Sequence, residues 1–117
     1  MAPVLAGGST CVVVSSADRP LPAVTLAEAL ATSDVPGGVV NLLTGRADEL
    51  GPWLAGHLDV NGIDLTGAAG QRDLATDLEV RAAENTKRVL AAPAAEPDWS
   101  TVPSSPRRIL TWCETKT

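Results

Sequence analysis

Short apolar runs alternate with segments of helical period along this chain, and that alternation constrains its fold more than any other feature. Thr10 to Val14 (Thr-Cys-Val-Val-Val) is β-branched and continuously apolar, as expected of a strand buried on both faces in a parallel sheet. From Pro20 the period lengthens: Ala23, Leu26, Ala27 and Leu30 fall at helical spacing, with Glu28 opposite. Asp34-Val35-Pro36-Gly37-Gly38 ends that helix, Val39 to Leu43 form a second run, and Gly45 closes it. Leu50, Trp53, Leu54 and His57 then mark a second helix, with Asp48 and Glu49 in the first turn, where the helix dipole favours negative charge. His57 stands at the other end of that dipole, suited to a capping or surface role. Val60 to Thr66 read as a third strand, Leu74, Leu78 and Ala82 as the apolar line of a mostly solvent-facing helix reaching about Glu84, and Lys87 to Leu90 as a short fourth strand. Strands and helices in alternation predict βαβ units. The expected fold class is therefore α/β: a small three-layer parallel sheet of about four strands, helices on both faces, in a partial Rossmann-like domain.

Such a domain has a thin core, because 117 residues leave a high surface-to-volume ratio. The 44% hydrophobic share consists largely of Ala, Val and Leu, with three Trp and neither Phe nor Tyr, so the core is made of light side chains with Trp53 as its one expected aromatic. A net charge of −5 and the lack of a basic stripe argue against nucleic acid as a partner. No apolar run approaches a membrane span of about 20 residues, and no charged segment precedes an apolar one at the N-terminus; the expectation is no membrane association and a cytoplasmic location. Cys11 and Cys113 lack metal-ligand spacing and read as structural thiols, so no metal is expected.

The last part of the chain differs in kind. Ala91 to Pro106 carry prolines at positions 93, 97, 103 and 106 among Ala and Ser, which suits a tether. Residues 107–117 read as a final strand or an extended arm that needs a groove, in this subunit or another. The expected organisation is a domain over 1–90, a linker over 91–106 and the arm over 107–117, with Trp99 and Trp112 flanking the linker as candidate interface anchors.

Several stretches are similar, in order, to the cofactor-binding domain of the aldehyde dehydrogenase family. Pro3-Val4-Leu5-Ala6-Gly7-Gly8-Ser9-Thr10-Cys11-Val12-Val13 resembles its helix end and first strand, and Pro20-Leu21 the opening of its next helix. Val35-Pro36-Gly37-Gly38-Val39-Val40-Asn41-Leu42-Leu43-Thr44-Gly45 resembles its Pro-x-Gly-Val-x-Asn-x-x-x-Gly stretch. His57-Leu58-Asp59-Val60 through Leu65-Thr66-Gly67, then Ala83-Glu84-Asn85-Thr86-Lys87-Arg88-Val89, complete a series covering about the first 90 residues. Gly37, Gly38, Gly45 and Gly67 stand where strands turn or where backbone approaches a ligand; shaping turns is the simpler role.

The resemblance places Val14, Ser15, Ala17, Gly45, Gly67 and Ala68 at cofactor-binding positions, yet most of them have changed. Working members carry Lys-Pro-x-Glu after the first strand, its Lys and Glu holding the adenine ribose; here the four positions are Val14, Ser15, Ser16 and Ala17. Each lost charge-assisted hydrogen bond typically removes about 1.5–3 kcal/mol, which leaves weak NAD(P) binding or none. Asp18, one position on, either replaces the lost glutamate or caps the next helix. Where the family places a serine at a pyrophosphate-binding helix start, this chain has Ala68-Ala69-Gly70. The general base belongs in a Leu-Gly-Gly context, here Leu90-Ala91-Ala92-Pro93-Ala94, and the nucleophilic cysteine lies in a separate catalytic domain. Cys113, between Trp112 and Glu114, does not match that motif. Catalytic residues are thus expected to be absent.

These readings lead to a catalytically inactive aldehyde-dehydrogenase-like fragment that serves as a binding or assembly module, self-associating or meeting a partner subunit through its sheet edge and C-terminal arm. The competing reading is a segment of an NAD(P)-dependent aldehyde oxidoreductase whose catalytic half lies elsewhere; Met1-Ala2-Pro3, inside what would be a family helix, favours it. A gene remnant without selected function is the third.

Overall fold

A computed structural model describes residues 1–101 and 106–113. The chain divides into two compact units, Met1–Ala47 with Arg108–Thr117, and Asp48–Arg107.

The first unit begins with a short helix, α1 (Ala2–Ala6), then strand β1 (Cys11–Val14), helix α2 (Leu21–Ala31) and strand β2 (Val40–Leu43). β1 and β2 pair in parallel, Cys11 opposite Val40 and Val14 opposite Leu43, so α2 is the crossover of a βαβ unit. Helix α2 packs on β2 and turns Ala23, Ala27 and Leu30 inward, at helical spacing. Leu26, expected on that face, is exposed. No side chain caps α2: its N-cap is Pro20, and Asp18 makes no capping bond. On β1–β2 the alternation of strand side chains sets Cys11, Val13, Val40 and Leu42 on a half-buried face, whereas Val12, Asn41 and Leu43 are exposed on the other. β1 is therefore not buried on both faces as its composition suggested; Val12 is 45% exposed. Gly38 turns the chain into β2 with φ of 84°, a conformation that favours glycine, and its carbonyl accepts a hydrogen bond from Asn41 Nδ2 at 2.9 Å.

In the second unit, helix α3 (Ala47–Gly56) leads to strand β3 (Gly62–Asp64), a single 3₁₀ turn (Thr66–Ala68), helix α4 (Arg72–Ala83) and strand β4 (Arg88–Leu90). β3 and β4 pair in parallel through Gly62–Arg88, Ile63–Val89 and Asp64–Leu90, a second βαβ unit. Its core is Ala55, Leu65 and Leu78, with Ile63, Leu74 and Ala92 packed against it. The expected line Leu74, Leu78, Ala82 does face inward, but α3 is rotated from the expected face. Gly51 and Ala55 are buried, while Trp53 is 80% exposed. The reason is steric: a Cβ on Gly51 would stand 3.1 and 3.3 Å from the δ-methyls of Leu78, so a small-residue face of α3 is what admits a leucine of α4 at this distance.

The Asn85-Thr86-Lys87 stretch closes the end of α3. Asn85 Nδ2 donates to Gly56 O at 3.1 Å, and the buried Lys87 Nζ donates to His57 O and to Val60 O, the latter at 2.7 Å. Lys87 and Asn85, not the imidazole of His57, thus satisfy carbonyls that a helix terminus leaves open. The His57 ring serves the next turn instead, its Nδ1 accepting the Asp59 N–H at 3.2 Å.

Two expectations about architecture change. The four strands lie where the sequence placed them, but they pair in twos and not as one four-stranded sheet. With three or four residues each, they offer short ladders in which little backbone bonding extends beyond one partner. The second change is at the C-terminus: residues Arg107–Trp112 form a helix, α5, not a strand or an extended arm. Pro106 immediately precedes it, a position where a fixed φ and a missing N–H are tolerated. Trp112 is buried, and Cys113 Sγ lies 3.4 Å from where a Cβ on Gly7 would stand, so this helix belongs to the same unit as α1. Between β4 and α5, residues 91–101 contain no helix or strand; Asp98 Oδ1 accepts the Ser100 N–H at 3.0 Å and its hydroxyl at 2.6 Å. Residues 102–105 and 114–117, which include Pro103 and Glu114, lie outside the described residues.

Candidate functional site

Ligands of open α/β sheets bind beyond the carboxyl ends of parallel strands. In the first unit that location gathers Val14, Ser15 and Gly45. Val14 is the last residue of β1, Ser15 follows it and donates its N–H to Leu43 O at 2.8 Å, and Gly45 lies two residues past β2. Ala17 is exposed in the bend after β1. In the second unit Gly67 and Ala68 lie in the 3₁₀ turn after β3, Gly67 exposed and Ala68 buried.

Of Val14, Ser15, Ser16 and Ala17 at the end of β1, only Ser16 presents an exposed polar side chain, so the charged groups that would hold a dinucleotide's ribose are missing. Val14 and Ala17 have neither donor nor acceptor on the side chain. Ser15 has one, yet its Oγ is out of solvent's reach and without a hydrogen-bond partner. A hydroxyl so enclosed cannot meet a ribose, and leaving it unpaired typically costs about 1–3 kcal/mol.

The turn after β3 has space but few open donors. A Cβ on Gly67 would meet nothing within 4 Å, so an approach over this glycine is sterically clear. Most donors around it have acceptors within the turn: the Thr66 N–H and hydroxyl bond Asp64 Oδ1, the Ala68 N–H bonds Leu65 O, the Ala69 N–H bonds Thr66 O and the Gln71 N–H bonds Ala68 O. Beyond it, an open depression of about 420 Å³ is lined by Gly70, Gln71, Arg72, Asp73 and Leu74 at the start of α4. Asp73 puts a carboxylate in the first turn of that helix, where an anionic ligand would otherwise gain from the dipole. Sequence reasoning places Gly67 and Ala68 here and does not reach Asp64. Its one signal was an acidic side chain closing an otherwise apolar strand.

Ala92, in the stretch where the general base belongs, packs against the Leu78 core. Cys11 and Cys113 are not joined in a disulfide. Burial pushes the Cys11 thiol up, against the pull of the N-terminal charge, the wrong direction for a nucleophile. Among the described residues no group of three His, Cys, Asp or Glu could hold a metal ion, and no helix is long and apolar enough to cross a membrane.

Two βαβ units with glycine turns at the strand ends make an α/β chain with small parallel sheets, consistent with part of a Rossmann-like domain. Comparison with known proteins names the family more closely. The aldehyde dehydrogenase family model matches residues 1–97, and the chain belongs to that family. It is 44% identical over 68 residues to a hydroxyisobutyraldehyde dehydrogenase of Mycolicibacterium austroafricanum, covering 58% of this chain and 14% of that protein. Two proteins named D-glyceraldehyde dehydrogenase (NADP(+)) are also similar, one from Picrophilus torridus (38% identity) and one from Thermoplasma acidophilum (40%), each over 74 residues, 62% of this chain and 15% of theirs. The chain thus spans 14–15% of the length of these relatives. No solved structure matches it.

Proposed function

We propose that this aldehyde dehydrogenase segment keeps the family's cofactor-domain scaffold without a working grip on NAD(P), has no dehydrogenase activity of its own, and serves as a binding or assembly module. The observation that carries this reading is the end of β1, where Val14 and Ala17 stand at ribose-holding positions without a donor or acceptor, and of the two hydroxyls between them Ser15 is sealed away and only the uncharged Ser16 is exposed. Calorimetric titration with NAD and with NADP is expected to show no saturable binding below about 1 mM. Sub-millimolar binding together with aldehyde-dependent reduction would overturn it.

The assembly role is supported by apolar surface. Val12 and Leu43 lie exposed on one face of β1–β2, and on the second unit Trp53 and Leu58 are largely exposed. Self-association through the β1–β2 sheet or the C-terminal helix should appear in sedimentation as a mass above the 12.0 kDa monomer that rises with concentration. A sharp monomer boundary persisting at high concentration counts against it.

A second reading is favoured by one observation, the 14–15% share of its relatives' length that the chain spans. On that reading it is a segment of an NAD(P)-dependent aldehyde oxidoreductase whose nucleophile and base lie on other sequence. An in-frame catalytic domain beside this coding sequence supports the segment; stop codons on both sides oppose it.

A further inference from the structure

The turn after β3 carries an anion of its own. Asp64, the last residue of that strand, directs a single carboxylate oxygen, Oδ1, at two donors of Thr66: the backbone N–H at 2.9 Å and the hydroxyl at 2.5 Å. Thr66 is buried, so water is a poor substitute for whatever holds these donors. An N–H and an O–H converging on one anionic oxygen, in a turn beyond a parallel strand, is the arrangement by which a loop takes a phosphoryl oxygen.

We propose that Asp64 is an internal occupant of these donors and holds the Thr66–Ala68 turn closed to phosphates. The inference deepens the reading above and rests on it: cofactor affinity is lost at this turn because a carboxylate stands where a pyrophosphate oxygen would bond, as well as at the end of β1, where side-chain donors are missing. Charge acts in the same sense as occupancy. A phosphate approaching over the open side of Gly67 meets Asp64 at the turn and Asp73 in the first turn of α4, with Arg72 as the one cation among the residues lining the adjacent depression. Both donors of Thr66 are thus satisfied from within the turn. The ligand class it excludes is the polyphosphate anion, free or within a dinucleotide.

The test follows the backbone amide resonances of Thr66, Gly67 and Ala68 in the full 117-residue chain during titration with inorganic pyrophosphate, then with NAD. The unaltered chain is expected to show no saturable shift up to about 10 mM. Asp64→Ala removes both charge and occupant and is expected to bind pyrophosphate at least about tenfold more tightly, with shifts centred on these three amides. Asp64→Asn removes the charge and keeps an acceptor, so its gain should be smaller; it also decides the matter if Asp64→Ala fails to fold. If neither variant gains over the unaltered chain, the inference about Asp64 fails while the reading of lost cofactor binding stands. Saturable shifts at Thr66 in the unaltered chain at low millimolar pyrophosphate overturn the inference, and sub-millimolar NAD binding overturns both.

Discussion

Leu78→Ala should destabilise the Asp48–Arg107 unit by about 2–5 kcal/mol, the range for removing a buried leucine and leaving its space unfilled. Leu78 is 5% exposed and forms the core with Ala55 and Leu65. A unit of this size has little stability to spare, so the loss should appear as a large fall in the urea midpoint followed by far-UV circular dichroism. Gly51 makes the prediction more specific. In the unaltered chain Gly51→Ala gains helix propensity of about 0.8–1 kcal/mol but drives a methyl against both δ-carbons of Leu78. In the Leu78→Ala background the same methyl enters the vacated space. The double variant should therefore be more stable than Leu78→Ala alone, with a coupling of about 0.5–3 kcal/mol. Additive effects would show that the two helices do not meet as described, and a Leu78→Ala midpoint near that of the unaltered chain would remove Leu78 from the core.

Lys87→Met should cost about 3 kcal/mol. Methionine keeps most of the apolar stem, so packing is little changed and the loss isolates the ammonium. That group holds the His57 and Val60 carbonyls, and hydrogen bonds to charged groups contribute about 1.5–3 kcal/mol each. The effect should be local first: amide exchange should accelerate at the C-terminal turn of α3 and at residues 57–61 before it does in α4. Thr86 adds to the argument. Its φ of 52° is unusual for a β-branched residue, and it is held there between Asn85, bonded to Gly56 O at the end of α3, and Lys87, bonded to His57 O just past it. A Lys87→Met chain with unchanged urea midpoint and unchanged exchange at residues 57–61 would show that this clamp contributes nothing.

Asn85-Thr86-Lys87 illustrates how far the sequence could be read. It was visible as one of the motifs shared with the family, but its work was not, since its partners lie 27 to 30 residues away. The α4 face was legible because Leu74, Leu78 and Ala82 repeat at helical spacing in a charged background. The α3 face was misread for an equally physical reason. Leu50, Trp53, Leu54 and His57 have the right period, yet close approach of Leu78 selects small residues, and an aromatic side chain cannot occupy that contact. At the candidate site, the absence of donors at Val14 and Ala17 could be read directly from residue type. The sealing of the Ser15 hydroxyl and the capture of Thr66 by Asp64 could not, because burial and hydrogen-bond choice depend on neighbours.

Residue order alone determined the alternation of four strands with crossover helices, the family, and the lack of charged side chains over residues 14–17. These are local properties: periodicity, turn chemistry and side-chain type belong to short stretches of chain. Tertiary structure decided that the strands pair in twos, that residues 107–112 coil into a helix, and which acceptors claim Lys87 and Thr66. Those outcomes turn on competition among distant groups for the same space and the same hydrogen bonds, which only folding resolves.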